Sequence, residues 1–277
     1  MNVPLQLEER EYQLIRDLVY TKFGINLGAH KQALVAGRLN KIVRQHGFPS
    51  FMDYYTFLVS DDSGTALRTL VNRISTNHTY FNRESGHFEY LESTVLPALR
   101  ERLVAEGDRH VRIWSAGCSS GEESYTLAML LLETFGKEAG EWRLGVLATD
   151  ISEVVLEKAR AGLYSDENVQ KLPDHLRRRY FQRGKDGMWT VSPAVRDLVL
   201  YRRLNLIRER FPFKRRFHAI FCRNVMIYFD AATRAGLVQR FSDCLEPGGH
   251  LFIGHSESLG RGDARFNYLR PALYQKI

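Results

Sequence analysis

Three stretches of this chain put polar groups where a buried strand would end. The run Phe217 to Cys222 is mostly apolar and reads as a buried strand, and it turns abruptly polar at Arg223-Asn224. A second apolar run follows with a single phenol, Tyr228, and Asp230 is placed to cap the next helix. Open α/β folds bind ligands at the carboxyl ends of parallel strands. A core strand with an ordinary polar loop would look the same, so this segment does not decide alone. The second stretch is the small-residue turn Ala116-Gly-Cys-Ser-Ser-Gly121, followed by Glu122 and Glu123. The third is Asp150, at the end of another strand.

Small residues let backbone approach a ligand closely. The turn is not G-x-G-x-x-G, and the chain has no G-x-x-x-x-G-K-[ST], so a phosphate grip is poorly supported. Glu122 and Glu123 could serve only as helix N-terminal acids, which the dipole favours. Beside a ligand cradle, though, they would repel a pyrophosphate and suit a cation. Asp150 is placed to accept hydrogen bonds from ribose hydroxyls. Its bland role, capping the next helix, is one that Ser152 competes for. A ribose acceptor and a cradle that avoids phosphate together point to S-adenosylmethionine. That molecule offers adenosine, a sulfonium cation and a free amino-acid end, with no phosphate.

The elements needed to position these groups are legible. Strand–helix alternation runs from Val111–Ser115 through a helix Glu122–Phe135, a strand Leu144–Thr149 and a helix from Ser152 to about Leu163. It resumes with strands at Leu198–Leu206 and 217–225, a helix Asp230–Leu245, a Pro247-Gly248-Gly249 turn, a strand Leu251–Gly254 and a last strand near Ala272–Lys276. This predicts an α/β doubly wound, mostly parallel sheet. Between 165 and 197 the alternation breaks, and Gly184-Lys185-Asp186-Gly187 signals a hairpin inside a small inserted β-subdomain.

The first ~75 residues read instead as four short amphipathic helices. In the second, from about Ala29 to His46, Leu34, Leu39, Ile42 and Val43 share one side, and Lys31, Arg38, Lys41 and Arg44 the other. That basic side is either a solvated stripe or a docking face for an acidic partner helix. Ser50 with Asp53 resembles a capping box, and Ser63 is expected to cap the fourth helix. Residues 75–84 have no helical period, and their adjacent Tyr80-Phe81 suggests a segment folded over something. A long helix is expected from Gly86 to Val104. The domain reading is 1–76 helical, 77–96 a linker, and 97–277 catalytic with the insert at 165–197.

The 277 residues carry a net charge of +7, with 44% hydrophobic and 26% charged residues. That composition is ordinary for a soluble globular protein, and the charge suits an acidic partner. No ~18-residue apolar run and no signal-peptide order are present, so a cytoplasmic protein without membrane insertion is expected. Cys118, Cys222 and Cys244 are widely spaced, so free buried thiols are expected rather than disulfides. No His/Cys cluster has zinc spacing, and no metal is expected.

Four segments together resemble the CheR family of chemotaxis receptor glutamate methyltransferases: Asn77-His-Thr-Tyr-Phe-Asn-Arg83, Trp114 to Glu123, Cys222-Arg-Asn-Val-Met-Ile-Tyr-Phe-Asp230 and Gly254-His-Ser-Glu-Ser258. The resemblance spans essentially the whole chain. It implies that Asn77, Thr79 and Arg83 close over S-adenosyl-L-methionine, and that Glu123 and Asp150 hold its amino-acid end and ribose. Asn205, Leu206, Arg223 and Asn224 would flank the adenosine and the reacting centre, with Tyr228 near the transferred methyl. Lys31, Arg38, Lys41 and Arg44 would face the cytoplasmic coiled coil of a receptor. The product would be S-adenosyl-L-homocysteine, and the chain a monomer recruited to receptor arrays.

A glutamate acceptor has a pKa near ~4.3 and is already ionised, so no general base is required. That agrees with the lack of a convincing His/Asp or Cys/His pair. Two rivals stay open here. A nucleic-acid methyltransferase would suit the charge, but the chain has neither an Asn/Asp-Pro-Pro-aromatic site nor a Pro-Cys nucleophile. A non-catalytic donor-binding module that docks receptors is the other. The 184–204 span is a few residues shorter, and less glycine-rich, than in members whose insert binds a receptor pentapeptide tether. A pull-down with that pentapeptide should therefore retain nothing; micromolar binding would overturn the expectation.

Overall fold

The computed structural model describes residues 5–260 and 263–277. The amino-terminal helices α1 (Glu9–Phe23), α2 (Gln32–Gln45), α3 (Phe51–Ser60) and α4 (Thr65–Ile74) pack around one apolar cluster that includes Tyr12, Ile15, Leu39, Tyr54 and Leu70. α1 opens on a capping box between Glu8 and Glu11. A 3-10 turn, Ala29–Lys31, precedes α2, so the helix starts later than Ala29. Ser50 caps α3 by accepting the Asp53 N–H, as its spacing predicts. Ser63 does not occupy the cap position of α4. Left-handed Gly64 does, and the Asp61 carboxylate reaches forward to take the Ala66 N–H at 2.6 Å.

The helix expected from Gly86 to Val104 is interrupted. α5 (Gly86–Tyr90) passes through a π-helical turn, Leu91–Val95, into α6 (Leu96–Ala105). Pro97 lies in the first turn of α6. Its ring lacks an N–H and clashes with a carbonyl four residues back in regular helix, and the wider turn relieves that.

The sheet follows from alternating apolar strands and helices: β1 (His110–Ala116), α7 (Glu122–Phe135), β2 (Arg143–Asp150) and α8 (Glu153–Ala161). The insert holds β3 (Leu163–Tyr164), α9 (Asp166–Val169), α10 (Asp174–Tyr180), β4 (Phe181–Arg183), β5 (Trp189–Val191) and α11 (Pro193–Arg196). β6 (Val199–Arg203), β7 (Phe217–Cys222), α12 (Ala231–Cys244), β8 (Leu245–Ile253), β9 (Phe266–Arg270) and β10 (Leu273–Lys276) complete the chain. The seven-stranded sheet runs β6-β2-β1-β7-β8-β10-β9. β6, β2, β1, β7 and β8 are parallel, and β10 is antiparallel to both neighbours. The strand order reverses between β1 and β7, the place where such sheets open a crevice.

Two details differ from the sequence reading. Pro247-Gly248-Gly249 is not a turn before a strand. It is a bulge within β8, which pairs Leu245 with Phe217 and then His250 with Ala219. β9 was not anticipated: it is an edge strand with three consecutive exposed residues, so it shows no period-two signal. In the insert, β3, β5 and β4 form a three-stranded antiparallel sheet that begins at Leu163, with the expected hairpin at 184–187. Cys118 and Cys222 are free and buried, and burial pushes both thiols up. No helix among the described residues is long and apolar enough to cross a membrane.

Two histidines of the sheet, one buried and one partly buried, make folding sensitive to pH. His218 is buried with its Nδ1 accepting the Arg112 N–H, and burial, with Arg112 and Arg102 nearby, pulls its pKa down to about 4. Burial does the same to His250, also to about 4. Both stay neutral in the fold while the unfolded chain protonates near ~6.5, so their contribution is full above ~6.5 and is lost as pH falls toward 4. Urea midpoints should drop from pH 7 to pH 5, and a His218→Gln, His250→Gln double variant should lose less over that interval.

Candidate active site

The crevice at the strand reversal is a cleft roofed by the helical domain, with an empty volume of about 1330 Å³, part of it open to solvent. On its floor, Gly117 follows β1 with φ +88°, and an added Cβ would fall 2.4 Å from Val225 Cγ2, so only glycine fits. Ser119 then donates its N–H to Asp150 Oδ2 at 3.0 Å and its hydroxyl to the Asn77 carbonyl. The other Asp150 oxygen takes the Ser152 N–H at 2.9 Å. Ser152 therefore does not cap α8 with its side chain, as expected from sequence; its own N–H is held by Asp150. Burial raises the Asp150 pKa against the pull of its backbone amides. A carboxylate offers about four acceptor sites, more than these bonds use.

β7 delivers Arg223 and Asn224. The Arg223 side chain is only 3% exposed and lies between two carboxylates, Glu84 Oε2 at 3.1 Å and Glu123 Oε2 at 3.0 Å. It also donates to the Arg83 carbonyl. Burial raises the Glu84 carboxyl, but Arg223, Asn224 and His255 outweigh that and leave its pKa below the ordinary range. Burial, reinforced by Arg223, drives the pKa of neighbouring His87 down to about 3. Asn224 sits at φ 59°, a conformation asparagine tolerates better than most residues. Its side chain donates to Glu84 Oε1 at 3.1 Å. Buried Glu257 accepts N–H groups from Asn224 at 2.9 Å, Ile227 at 3.1 Å and Gly254. Glu257 thus sets the loop that carries Tyr228, whose hydroxyl donates to the Thr76 carbonyl at 3.5 Å.

The linker folds over this floor. Phe81 is fully buried, edge-on to Tyr164 at 4.8 Å and to Phe181 of the insert at 5.5 Å, and the Lys171 ammonium lies over Tyr80 at 4.6 Å. This is the reason for the adjacent aromatics. From the helical domain, the Lys22 carbonyl accepts the Asn205 amide at 2.8 Å, Asn26 donates to the Tyr228 carbonyl, and Tyr20 donates to Asp230 at 2.7 Å.

Asn77, Thr79, Arg83, Glu123, Asp150, Asn205, Leu206, Arg223, Asn224 and Tyr228 all line this one cleft. The basic helix divides. Lys31 and Arg38 also line the cleft, whereas Lys41 and Arg44 lie outside it. Arg38 is not a free surface cation: it donates to the Ile74 carbonyl and to Thr76 Oγ1 at 2.8 Å, tying α2 to the start of the linker. Leu34, expected on the apolar side, is 49% exposed at the cleft rim, and Val35 takes the core position instead. Glu84, Glu257, Ser115 and Ser119 were given no role from sequence. Glu257 belongs to the segment Gly254 to Ser258, and Glu84 ends the aperiodic stretch 75–84, but nothing local marks either as a brace.

The family model for the CheR methyltransferase all-alpha domain matches residues 10–75, and that for the CheR methyltransferase SAM-binding domain matches 77–272. The chain belongs to the CheR methyltransferase family. It is 41% identical over 275 residues to a chemotaxis protein methyltransferase of Borreliella burgdorferi, covering 99% of this chain and 97% of that one. It is 36% identical to the Escherichia coli chemotaxis protein methyltransferase, covering 99% and 93%. The Pseudomonas aeruginosa chemotaxis protein methyltransferase 1 is 38% identical, with 90% of each chain covered.

The ligand of the CheR-type cleft is S-adenosylmethionine, and the residues present fit it. The floor is lined by carboxylates rather than a phosphate nest, and Asp150 has acceptor capacity left for ribose hydroxyls. Glu257→Gln turns an NH2 group toward N–H donors, at a cost of about 1–3 kcal/mol. It should weaken S-adenosylmethionine binding by about tenfold in calorimetry, converting at the usual 1.4 kcal/mol per decade. Unchanged affinity would remove Glu257 from the bracing of this site.

Proposed function

We propose that this chain methylates glutamate side chains in the cytoplasmic coiled coil of chemotaxis receptors, forming methyl esters. The observation that carries this reading is the polarity of the cleft: Lys31 and Arg38 stand on its helical side, with Glu123 and Asp150 on its sheet side. Cations on the helical side suit an anionic acceptor, and acids on the sheet side suit a cationic donor. The names of the relatives, chemotaxis protein methyltransferases, support the same substrate class.

The donor supplies an electrophilic methyl group, and the carboxylate oxygen takes it as the carbon–sulfur bond pair leaves on sulfur, giving S-adenosyl-L-homocysteine. Opposite charges disappear along this path, so the protein's work is alignment and exclusion of water rather than proton transfer. Asp150 anchors ribose hydroxyls. Asn77, Thr79 and Arg83 cover the donor, and Asn205, Leu206 and Asn224 flank the adenosine. Glu123, held by Ser115 at 2.6 Å and by Arg223, faces the amino-acid end. Arg223 acts here as a positioning residue, because its guanidinium is committed to Glu84, Glu123 and the Arg83 carbonyl. The Tyr228 hydroxyl, held at long range by Thr76, turns to the acceptor carboxylate and orients it. Lys41 and Arg44 extend the basic side of α2 beyond the cleft, where a coiled coil lies while one glutamate enters.

The test is methyl transfer from labelled S-adenosylmethionine to receptor cytoplasmic domains, followed by mild alkali. Volatile methanol is expected; label that stays on the protein would mean nitrogen methylation and overturn the reading. Tyr228→Phe should lower turnover by about tenfold, the worth of one hydrogen bond of ~1.4 kcal/mol, with donor affinity nearly unchanged. Equal turnover would remove Tyr228 from the reaction.

A further inference from the structure

We propose that Glu84, His87 and His255 form a site for a d-block divalent cation of the zinc or nickel class, directly behind the Arg223 ion pair. The three residues arrive from different elements. Glu84 lies in the linker just before α5, His87 in the first turn of α5, and His255 follows β8. A carboxylate oxygen and one ring nitrogen from each histidine lie within 4.8 Å of one another. His87 Nδ1 is 3.7 Å from Glu84 Oε2, and the two imidazoles meet edge to face at 4.9 Å.

The second observation is His87 itself. Its side chain is 3% exposed, and neither ring nitrogen has a hydrogen-bond partner. A neutral imidazole carries one donor and one acceptor, and leaving a buried polar group unsatisfied costs about 1–3 kcal/mol. A metal bond would engage the lone pair. Two imidazoles and a carboxylate suit zinc or nickel, whereas calcium and magnesium take oxygen ligands. Ligand atoms about 2.1 Å from a tetrahedral ion lie roughly 3.4 Å apart. The present spacing closes to that with a small side-chain movement, and His255, which is exposed, provides both the movement and the entry path.

Occupancy has a consequence for the cleft. Glu84 Oε2 is also the acceptor for Arg223. A dication competes for that oxygen and loosens the contact between linker and sheet. Metal and donor therefore oppose each other, and by linkage each lowers the affinity of the other by the same factor.

The experiment is calorimetric titration of tag-free, chelator-stripped full chain with Zn2+. Wild type, His255→Ala and, as a surface control, His46→Ala are compared. One tight site in wild type, unchanged in His46→Ala and weakened by about tenfold or more in His255→Ala, is expected. Equal zinc binding in wild type and His255→Ala, or no binding, overturns the site. S-adenosylmethionine titrated into the zinc-loaded chain should bind several-fold more weakly than into the metal-free chain; equal affinity overturns the competition. Neither readout uses methyl transfer, so failure here is separable from failure of the proposed function.

Discussion

The buried guanidinium of Arg223 is the constraint around which the site is built. A charge that deep is tolerated only when paired and hydrogen-bonded. Its partners come from distant parts of the chain: Glu123 is 100 residues away in sequence and Glu84 is 139. Satisfying one side chain therefore joins the start of α7, the end of β7 and the linker in one arrangement. Removing either carboxylate would leave the cation partly uncompensated, which typically costs ~3–5 kcal/mol. The pairing also explains why the linker accepts strain. Asn82 and Glu84 both hold positive φ, and the bonds from Arg223 and Asn224 to Glu84 offset that cost.

A second tie runs from the helical domain. The carboxyl end of α1 and the loop after it hold the loops after β6 and β7 through Lys22, Asn26 and Tyr20. Arg38 holds the junction between α4 and the linker. The helical bundle is thus one wall of the cleft, and Lys31 and Arg38 stand on it.

Glu257 shows how one buried carboxylate can hold two separate loops. Its carboxylate gathers the N–H groups of a tight, left-handed turn at Asn224 and of the loop after β8. Burial raises its pKa, and the amides oppose that rise. The sheet contributes rigidity; this carboxylate converts two strand ends into one shaped edge.

Local pattern by itself determined the alternation of strands and helices, the apolar faces of the bundle, the hairpin of the insert and the segments that carry polar residues. Burial periodicity and turn chemistry are properties of neighbouring residues, so they survive in one dimension. The convergence of Asp150 and Arg223 was legible too, because ends of parallel strands converge in a doubly wound sheet, whereas Asn77 and Asn205 were placed beside them only by the resemblance to the CheR family. Only the tertiary structure decided which charges pair. Arg38 reads as a surface cation on a helical wheel, yet it reaches the Ile74 carbonyl, and Leu34 reads as core, yet it rims the cleft. Glu84 and Glu257 look like ordinary acids until chain crossings bring buried donors to them. The bulge at Pro247-Gly248-Gly249 and the edge strand β9 were hidden for a related reason. Register is set by the neighbouring strand, and an edge strand with exposed side chains has no burial rhythm to display.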